Sequence, residues 1–140
     1  MPRALLLSFG LVAFLLVGGG AQAEQMKFKA DLAAPSGIAS QGKGTATASL
    51  DTATQVLTWT VDYSGLSGPA TAAHIHGPAD PGANAGIVVP FTGNLASPIK
   101  GSATLTDAQI AQLEAGKWYV NIHTDANKGG EIRGQLVRAS

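Results

Sequence analysis

The chain has 140 residues, and its nine basic residues balance its nine acidic ones. It contains neither a cysteine nor a run of Lys or Arg. The sequence therefore excludes disulfides and thiolate metal sites, and it argues against a nucleic-acid surface or a polybasic membrane patch.

The first 23 residues have the three parts of a secretory signal peptide. Arg3 supplies a short positive segment, residues 5–17 are an apolar run, and the Ala-Gln-Ala of residues 21–23 is a small-x-small cleavage site. The run is shorter than the roughly 20 residues of a membrane-spanning helix. We therefore expect an exported protein, periplasmic or secreted, whose mature part is a single domain of residues 24–140 without a membrane span.

Alternating apolar and polar residues predict strands in the first half of the mature part. Two of these runs are joined by the short polar segment 51–54, which is typical of a hairpin. A loop is expected at residues 77–86, because this segment consists almost entirely of Gly, Pro, Ala, Asp and Asn. The predicted strands before this loop are residues 26–32, 45–50 and 55–63 and the short run that carries His74 and His76.

The second half predicts more strands and one helix. Thr106 and Gln109 form a capping box, which predicts a helix of two or three turns that ends near Gly116. The predicted strands here are residues 87–89, 99–105, 117–123 and 131–137, with a polar loop at 124–130. Seven or eight short strands indicate an all-β, antiparallel Greek-key sandwich or barrel, with Trp59 and Trp118 in its core.

The three histidines of the chain all lie on two predicted strands. Because side chains alternate along a strand, His74 and His76 share one face. If the apolar residues of both strands face the core, His74, His76 and His123 all lie on the outer face, under one or both long loops. Three neutral imidazoles suit one Cu(II) or Zn(II) ion, and copper is the first choice because it heads the affinity order of divalent ions.

Three further residues are candidates for a second layer around this site: Glu131, Arg133 and Asn121. The alternation predicts that Glu131 and Arg133 face outward together, where an exposed ion pair would contribute about 0–1 kcal/mol. The alternative is that Glu131 accepts a histidine N–H and so orients the ring. Asn121 is expected to face outward beside His123.

The histidines also have a purely structural interpretation. His74 and His76 would then bond to loop backbone at the turn of residues 77–78, and His123 would anchor the loop that follows it. The sequence shows no nucleophile–base pair and no paired carboxylates. Three function classes therefore stay open: an exported metal-binding protein, an extracellular adhesion or interaction module, and, least favoured, a small metalloenzyme.

Three segments also carry a resemblance to a known family. They begin at His74 (HIHGPA), Gly116 (GKWYVNIHT) and Gly130 (GEIRGQL). In this order they resemble the signature blocks of the chordin domain (CHRD) family, over roughly residues 27–137, and the bacterial single-domain members in particular. The resemblance implies an immunoglobulin-like sandwich or barrel but no settled activity. Because chordin is an extracellular antagonist of signalling ligands, it also implies an extracellular or periplasmic protein partner.

A more limited resemblance concerns copper-zinc superoxide dismutase. That barrel also carries a His-x-His pair on an outward strand face, and a histidine from a later strand joins it at the copper. His74, His76 and His123 are similar in order and in face. However, no histidine lies between His76 and His123 to bridge two metals, and a disulfide is impossible. The resemblance therefore implies a site for one ion and not dismutation.

The signal peptide predicts a defined N-terminus. Intact-mass measurement of protein exported by its native host should show a chain that starts at Glu24, because the small-x-small site ends at Ala23. A mature protein that keeps residues 5–17 would contradict both the cleavage and the expected export.

Overall fold

The computed structural model describes residue 10 and residues 24–140, so the predicted signal peptide lies almost wholly outside the described residues. The described residues form nine strands and one helix. Their bounds are β1 Gln25–Ala33, β2 Lys43–Asp51, β3 Val56–Ser64, β4 Ala72–His76, β5 Ile87–Pro90, β6 Ile99–Thr104, α1 Asp107–Glu114, β7 Tyr119–His123, β8 Ile132–Gln135 and β9 Val137–Arg138.

All strand pairs are antiparallel and belong to one sheet. The strand order is β5-β4-β7-β8-β1-β2-β3-β6, and the short β9 pairs with β1. The sheet curls into a nearly closed barrel around one core. The prediction of an all-β antiparallel fold with one short helix is confirmed.

The meander β1-β2-β3 follows directly from period-2 alternation. Residues of β1 alternate between exposed and buried along almost its whole length. In the hairpin between β2 and β3, Leu50 lies opposite Leu57, and both are fully buried. The Asp51 carboxylate accepts from the backbone N–H groups of Ala53 and Thr54 at 2.9 and 3.1 Å, which fixes the polar turn.

Both tryptophans lie in the core, as predicted. Trp118 is fully buried, and its Nε1 donates to Gln112 Oε1 at 3.1 Å. The ring also explains the glycine after His76: a Cβ at Gly77 would come within 2.4 Å of Trp118 Cδ1. The strand that carries two histidines is therefore held against the core by an aromatic ring that packs on bare backbone.

The predicted helix is confirmed, including its cap. Thr106 Oγ1 accepts from Gln109 N at 3.2 Å, and Gln109 Oε1 accepts from Thr106 N at 2.9 Å. Gly116, just beyond the helix, has φ +72°, a conformation that favours glycine. No helix in the described part of the chain is long and apolar enough to cross a membrane.

The barrel stays open between its two edge strands, β5 and β6. A cleft of about 240 Å³ lies there, lined by residues of both edges and by Trp59. The Trp59 ring stacks on Phe91, with 5.0 Å between the ring centroids. None of the three histidines lines this cleft.

Replacing Trp118 tests the core. Trp118→Ala should lower the free energy of unfolding by about 3–5 kcal/mol, because it removes a fully buried large aromatic and leaves a cavity. Urea unfolding should show this loss. Thr58→Ala, at an exposed position of β3, is the control and should stay within about 0.5 kcal/mol of the wild type. A loss below about 1 kcal/mol for Trp118→Ala would contradict the packing described above.

Candidate metal centre

The pairing of β4 with β7 brings the histidines together. Its register places Ala72 opposite His123, His74 opposite Asn121 and His76 opposite Tyr119. The intervening residues of both strands, such as Ile75, are buried in the core. The three histidines therefore share the outer face of the sheet, as the alternation predicted.

The imidazoles lie in direct contact. His74 Nδ1 is 3.2 Å from His123 Nε2. The ring centroid of His74 is 5.3 Å from that of His76 and 5.0 Å from that of His123. One potential ligand atom from each residue lies within 4.8 Å of the other two. This is the only cluster of three His, Cys, Asp or Glu ligands within metal-binding reach among the described residues.

The hydrogen bonds assign the proton positions on two of the rings. His76 Nδ1 is 2.9 Å from Ala85 O, and His123 Nδ1 is 2.8 Å from Lys128 O. A carbonyl can only accept, so both Nδ1 atoms carry the proton and both Nε2 atoms carry a lone pair. The Nδ1–H of His74 then donates to His123 Nε2, while His76 Nε2 is buried with no partner.

The surroundings favour neutral imidazoles. Burial lowers the pKa of His74, and the nearby His123 and His76 lower it further. Burial also lowers the pKa of His76, against the opposing effect of its bond to Ala85 and together with the charges of His123 and Arg133. Neutral imidazole is the form that binds metal ions.

Tyr119 is a residue of this site that the sequence did not indicate. Its ring stacks on His76 with 4.9 Å between centroids and 3° between the planes. Its hydroxyl accepts from Ala85 N at 3.1 Å, and the guanidinium carbon of Arg133 lies over its ring, 3.7 Å from the centroid. An aromatic residue on a face expected to be exposed was the available signal that this face is covered.

Both long loops cover the histidines. Residues 77–86 supply Ala85 O to His76, and residues 124–130 supply Lys128 O to His123. The structural interpretation of the histidines predicted such bonds to loop backbone, and His76 and His123 make them. His74 makes no such bond and faces His123 instead. Orienting bonds to backbone carbonyls are also what metal-binding histidines make, so the two interpretations share this feature.

Glu131 is not where the alternation predicted. It precedes β8, so the alternation of that strand does not apply to it, and it is fully buried. Its carboxylate accepts from Ser40 Oγ at 2.8 Å, Ser67 N at 2.9 Å and Ser67 Oγ. It also accepts from Thr124 Oγ1 at 2.8 Å and Asn127 Nδ2 at 3.1 Å. None of its partners is Arg133 or a histidine, so the expected ion pair and the expected direct bond are both absent.

Glu131 instead holds the loop that orients His123. Thr124 and Asn127 bond to each other across a turn, and Lys128, whose carbonyl accepts from His123, directly follows this turn. Burial alone would raise the pKa of Glu131, but hydrogen bonds from Ser67, Ser40 and Thr124 outweigh it and lower the pKa to about 2. The carboxylate is therefore ionised at neutral pH. The serines are 64 and 91 residues away in sequence, and no sequence signal pointed to them.

Arg133 and Asn121 lie beside the cluster without bonding to a histidine. Arg133 donates to Asn84 Oδ1 at 2.9 Å and to Ala83 O at 2.7 Å, which ties the loop 77–86 to the sheet. Asn121 lies between His74 and Arg133 in the strand register and is buried. Its Oδ1 has no hydrogen-bond partner in the described part of the chain.

The Glu131 network predicts a pH dependence of stability. The pKa of Glu131 is about 2 in the fold against an ordinary 4.5, so its contribution is complete above about pH 4.5 and is lost as pH falls toward 2. Glu131→Gln should lower the urea midpoint at pH 6 and lack this part of the acid slope. Glu114→Gln, on the exposed surface of α1, is the control and should keep the wild-type slope. An unchanged slope for Glu131→Gln would contradict the ionised network.

Comparison with known proteins identifies the family. A family model of the CHRD domain matches residues 28–136. No curated protein and no solved structure matches the chain. Because the matched segment covers most of the 140 residues and contains all three histidines, the chain belongs to the CHRD domain family.

Proposed function

We propose that this CHRD-domain protein binds one copper or zinc ion through His74, His76 and His123. The observation that carries the proposal is the unpartnered lone pair of His76. His76 Nε2 is buried without a partner, and an orphaned buried polar atom costs about 1–3 kcal/mol. A metal ion at the cluster would supply the missing partner.

The tautomers support this assignment. His123 already presents Nε2 to His74, and the Nδ1 protons of His76 and His123 are held by backbone carbonyls, which leaves a lone pair on both Nε2 atoms. Such carbonyls fix ring orientation in metal sites and strengthen the ligand. Only His74 must change: its Nδ1 has to give up the proton that it now donates to His123.

The donor set favours copper or zinc over harder ions. Ca²⁺ and Mg²⁺ prefer oxygen ligands, and the one buried carboxylate nearby, Glu131, already accepts five hydrogen bonds. Three imidazoles suit Zn(II) with an open fourth position, and they bind Cu(II) more tightly than other divalent ions of the series. Copper is our first choice.

Export is part of the proposal. The signal-like segment of residues 1–23 supports it, and the absence of cysteine after the apolar run argues against lipid attachment. A metal protein without thiols suits an oxidising compartment, because no cysteine competes for the ion or oxidises. The place of action would be the periplasm or the exterior of the cell.

The second candidate is an extracellular interaction module in which the histidines are structural. The loop bonds of His76 and His123 favour it, because they hold both loops in place without a metal. It leaves the buried His76 Nε2 unexplained. A small metalloenzyme would need a reacting group beyond the three imidazoles, and we do not propose one.

Metal titration tests the proposal. Metal-free protein titrated with Cu(II) at pH 7.5 should take up one equivalent, and paramagnetic resonance should show nitrogen ligands. His76→Gln and His123→Gln should each remove this signal, because glutamine can still donate to the loop carbonyl but brings no imidazole. Lys100→Ala, at an exposed position of β6, is the control and should bind as the wild type does.

Two results would decide for the interaction module. One is a wild type that binds Cu(II) and Zn(II) no more tightly than the two glutamine variants. The other is uptake of one equivalent of Cu(II), with the nitrogen-ligand signal of the wild type, by glutamine variants whose circular dichroism matches that of the wild type. Either result would make the histidines structural.

Acid should release the metal. Protons compete with the metal for imidazole, so affinity should fall as the pH is lowered. Because the pKa values of His74 and His76 are below the ordinary 6.5, these two rings stay neutral to lower pH than an exposed histidine. Calorimetric titration at pH 7.5, 6.5 and 5.5 should show little loss in the first step and more in the second. Affinity that does not depend on pH would contradict histidine ligation.

A further inference from the structure

The strand β6 lies at one end of the sheet, and one of its edges is unpaired. In the described part of the chain it pairs with β3 alone. Leu105 N donates to Gln55 O at 2.8 Å, so the backbone of Leu105 and of every second residue before it points to β3. The residues between them therefore turn their N–H and C=O groups away from β3. They are Lys100, Ser102 and Thr104, and all three are exposed.

The cleft between β5 and β6 borders this unpaired edge. Its lining includes every residue from 100 to 104 in succession. Side chains alternate along a strand, so an unbroken series shows that the edge of β6, and not one face of it, meets the cleft. At about 240 Å³ the cleft is smaller than the roughly 300–1,000 Å³ of sites for drug-sized ligands. It therefore fits side chains of an extended segment better than a whole small molecule.

The strand on the other side of the cleft has a blocked edge. Phe91, next to β5, donates its N–H to Ala73 O at 2.9 Å, so the backbone of Pro90 points away from β4 and toward the cleft. Proline has no N–H to donate, and prolines on edge strands protect sheets from pairing with other chains. β6 contains no proline. An incoming strand therefore pairs with β6.

The side chains of β6 indicate which segment pairs there. Lys100 is exposed and forms no ion pair within the described part of the chain. An acidic residue opposite Lys100 is attracted, and a basic one is repelled. On the core side this part of β6 has only the small residues Gly101 and Ala103, and Trp59 lines the cleft beside them. An apolar side chain of the incoming strand would fill this space.

We infer that β6 binds an extended segment of a partner protein as an added strand, and that the segment carries an acidic residue next to an apolar one. Its backbone bonds to the free groups of β6, its acid pairs with Lys100 on the outer face, and its apolar side chain enters the cleft beside Trp59. Strand addition takes affinity from main-chain hydrogen bonds and specificity from alternate side chains. The inference does not rest on the proposed metal, because no histidine lines the cleft.

Two blocked peptides test the charge preference. One is Thr-Val-Glu-Val-Glu-Val-Thr, and the other has lysine in place of glutamate. Each is titrated into metal-free protein at pH 7.5 and low salt, and tryptophan fluorescence reports binding through Trp59, since Trp118 is fully buried and does not line the cleft. The glutamate peptide should bind at least about fivefold more tightly than the lysine peptide, and Lys100→Glu should reverse this order.

N-methylated peptides test the strand pairing itself. Only one edge of the bound peptide faces β6, and the N–H groups of successive residues point to opposite edges. The glutamate peptide is therefore made in two further forms, one methylated on the nitrogens of its glutamates and one on those of its valines. One form should lose at least about tenfold in affinity, and the other should stay within about threefold of the unmodified peptide.

Two substitutions at one position test the edge of β6. Ser102→Pro removes an N–H that points out of the sheet, and it should weaken binding of the glutamate peptide at least about fivefold. Ser102→Ala keeps this N–H and removes only the hydroxyl, so it should bind as the wild type does. Urea unfolding shows whether the proline variant is folded, and the peptide comparisons on the wild type decide the question without it.

Four results would overturn the inference. They are failure of the wild type to bind the glutamate peptide, equal affinity for the glutamate and lysine peptides, and equal affinity of the two methylated forms. The fourth is a wild-type dimer that Ser102→Pro converts to monomers in analytical ultracentrifugation, because the edge would then belong to a second copy of this chain.

Discussion

The antiparallel pairing of β4 with β7 is the contact on which the outer face of this molecule depends. It joins segments about 50 residues apart in sequence and fixes which residues lie opposite one another. A shift of one residue would turn every side chain of one strand to the other face. In the observed register, His74 and His123 meet at 3.2 Å while Ile75 and Ile122 pack in the core. Packing of the core thus determines where the imidazoles stand.

A buried carboxylate stabilises the loop above this face. Glu131 would be costly to bury alone, but five donors satisfy it and keep it ionised. Through Thr124 and Asn127 it fixes the turn that presents Lys128 O to His123. The other loop is held by Arg133 and Tyr119. The orientation of the His76 and His123 rings is therefore set by residues that do not bond to the Nε2 atoms of these rings.

The bonds of His76 and His123 to loop carbonyls hold the two loops in place, and they also orient the rings as the proposed metal site requires. They hold the loops whether or not a metal is bound, and they leave Nε2 lone pairs on His76 and His123. Beside them, Arg133 lacks an acid and Asn121 lacks a donor. Buried polar groups in folded proteins rarely go without a hydrogen-bond partner, so the unpartnered Nε2 of His76 stands out on this face.

The sequence by itself determined the fold class, the helix cap, the core tryptophans and the shared face of the histidines. Those features depend on local alternation and short-range capping, which residues along one segment express directly. Only the tertiary structure decided the role of Glu131, because its partners Ser40 and Ser67 lie far away in sequence and it precedes the regular strand. It also decided the stacking of Tyr119 on His76 and the assignment of protons on the rings. These depend on where two irregular loops fold back onto the sheet, and alternation says nothing about loop paths.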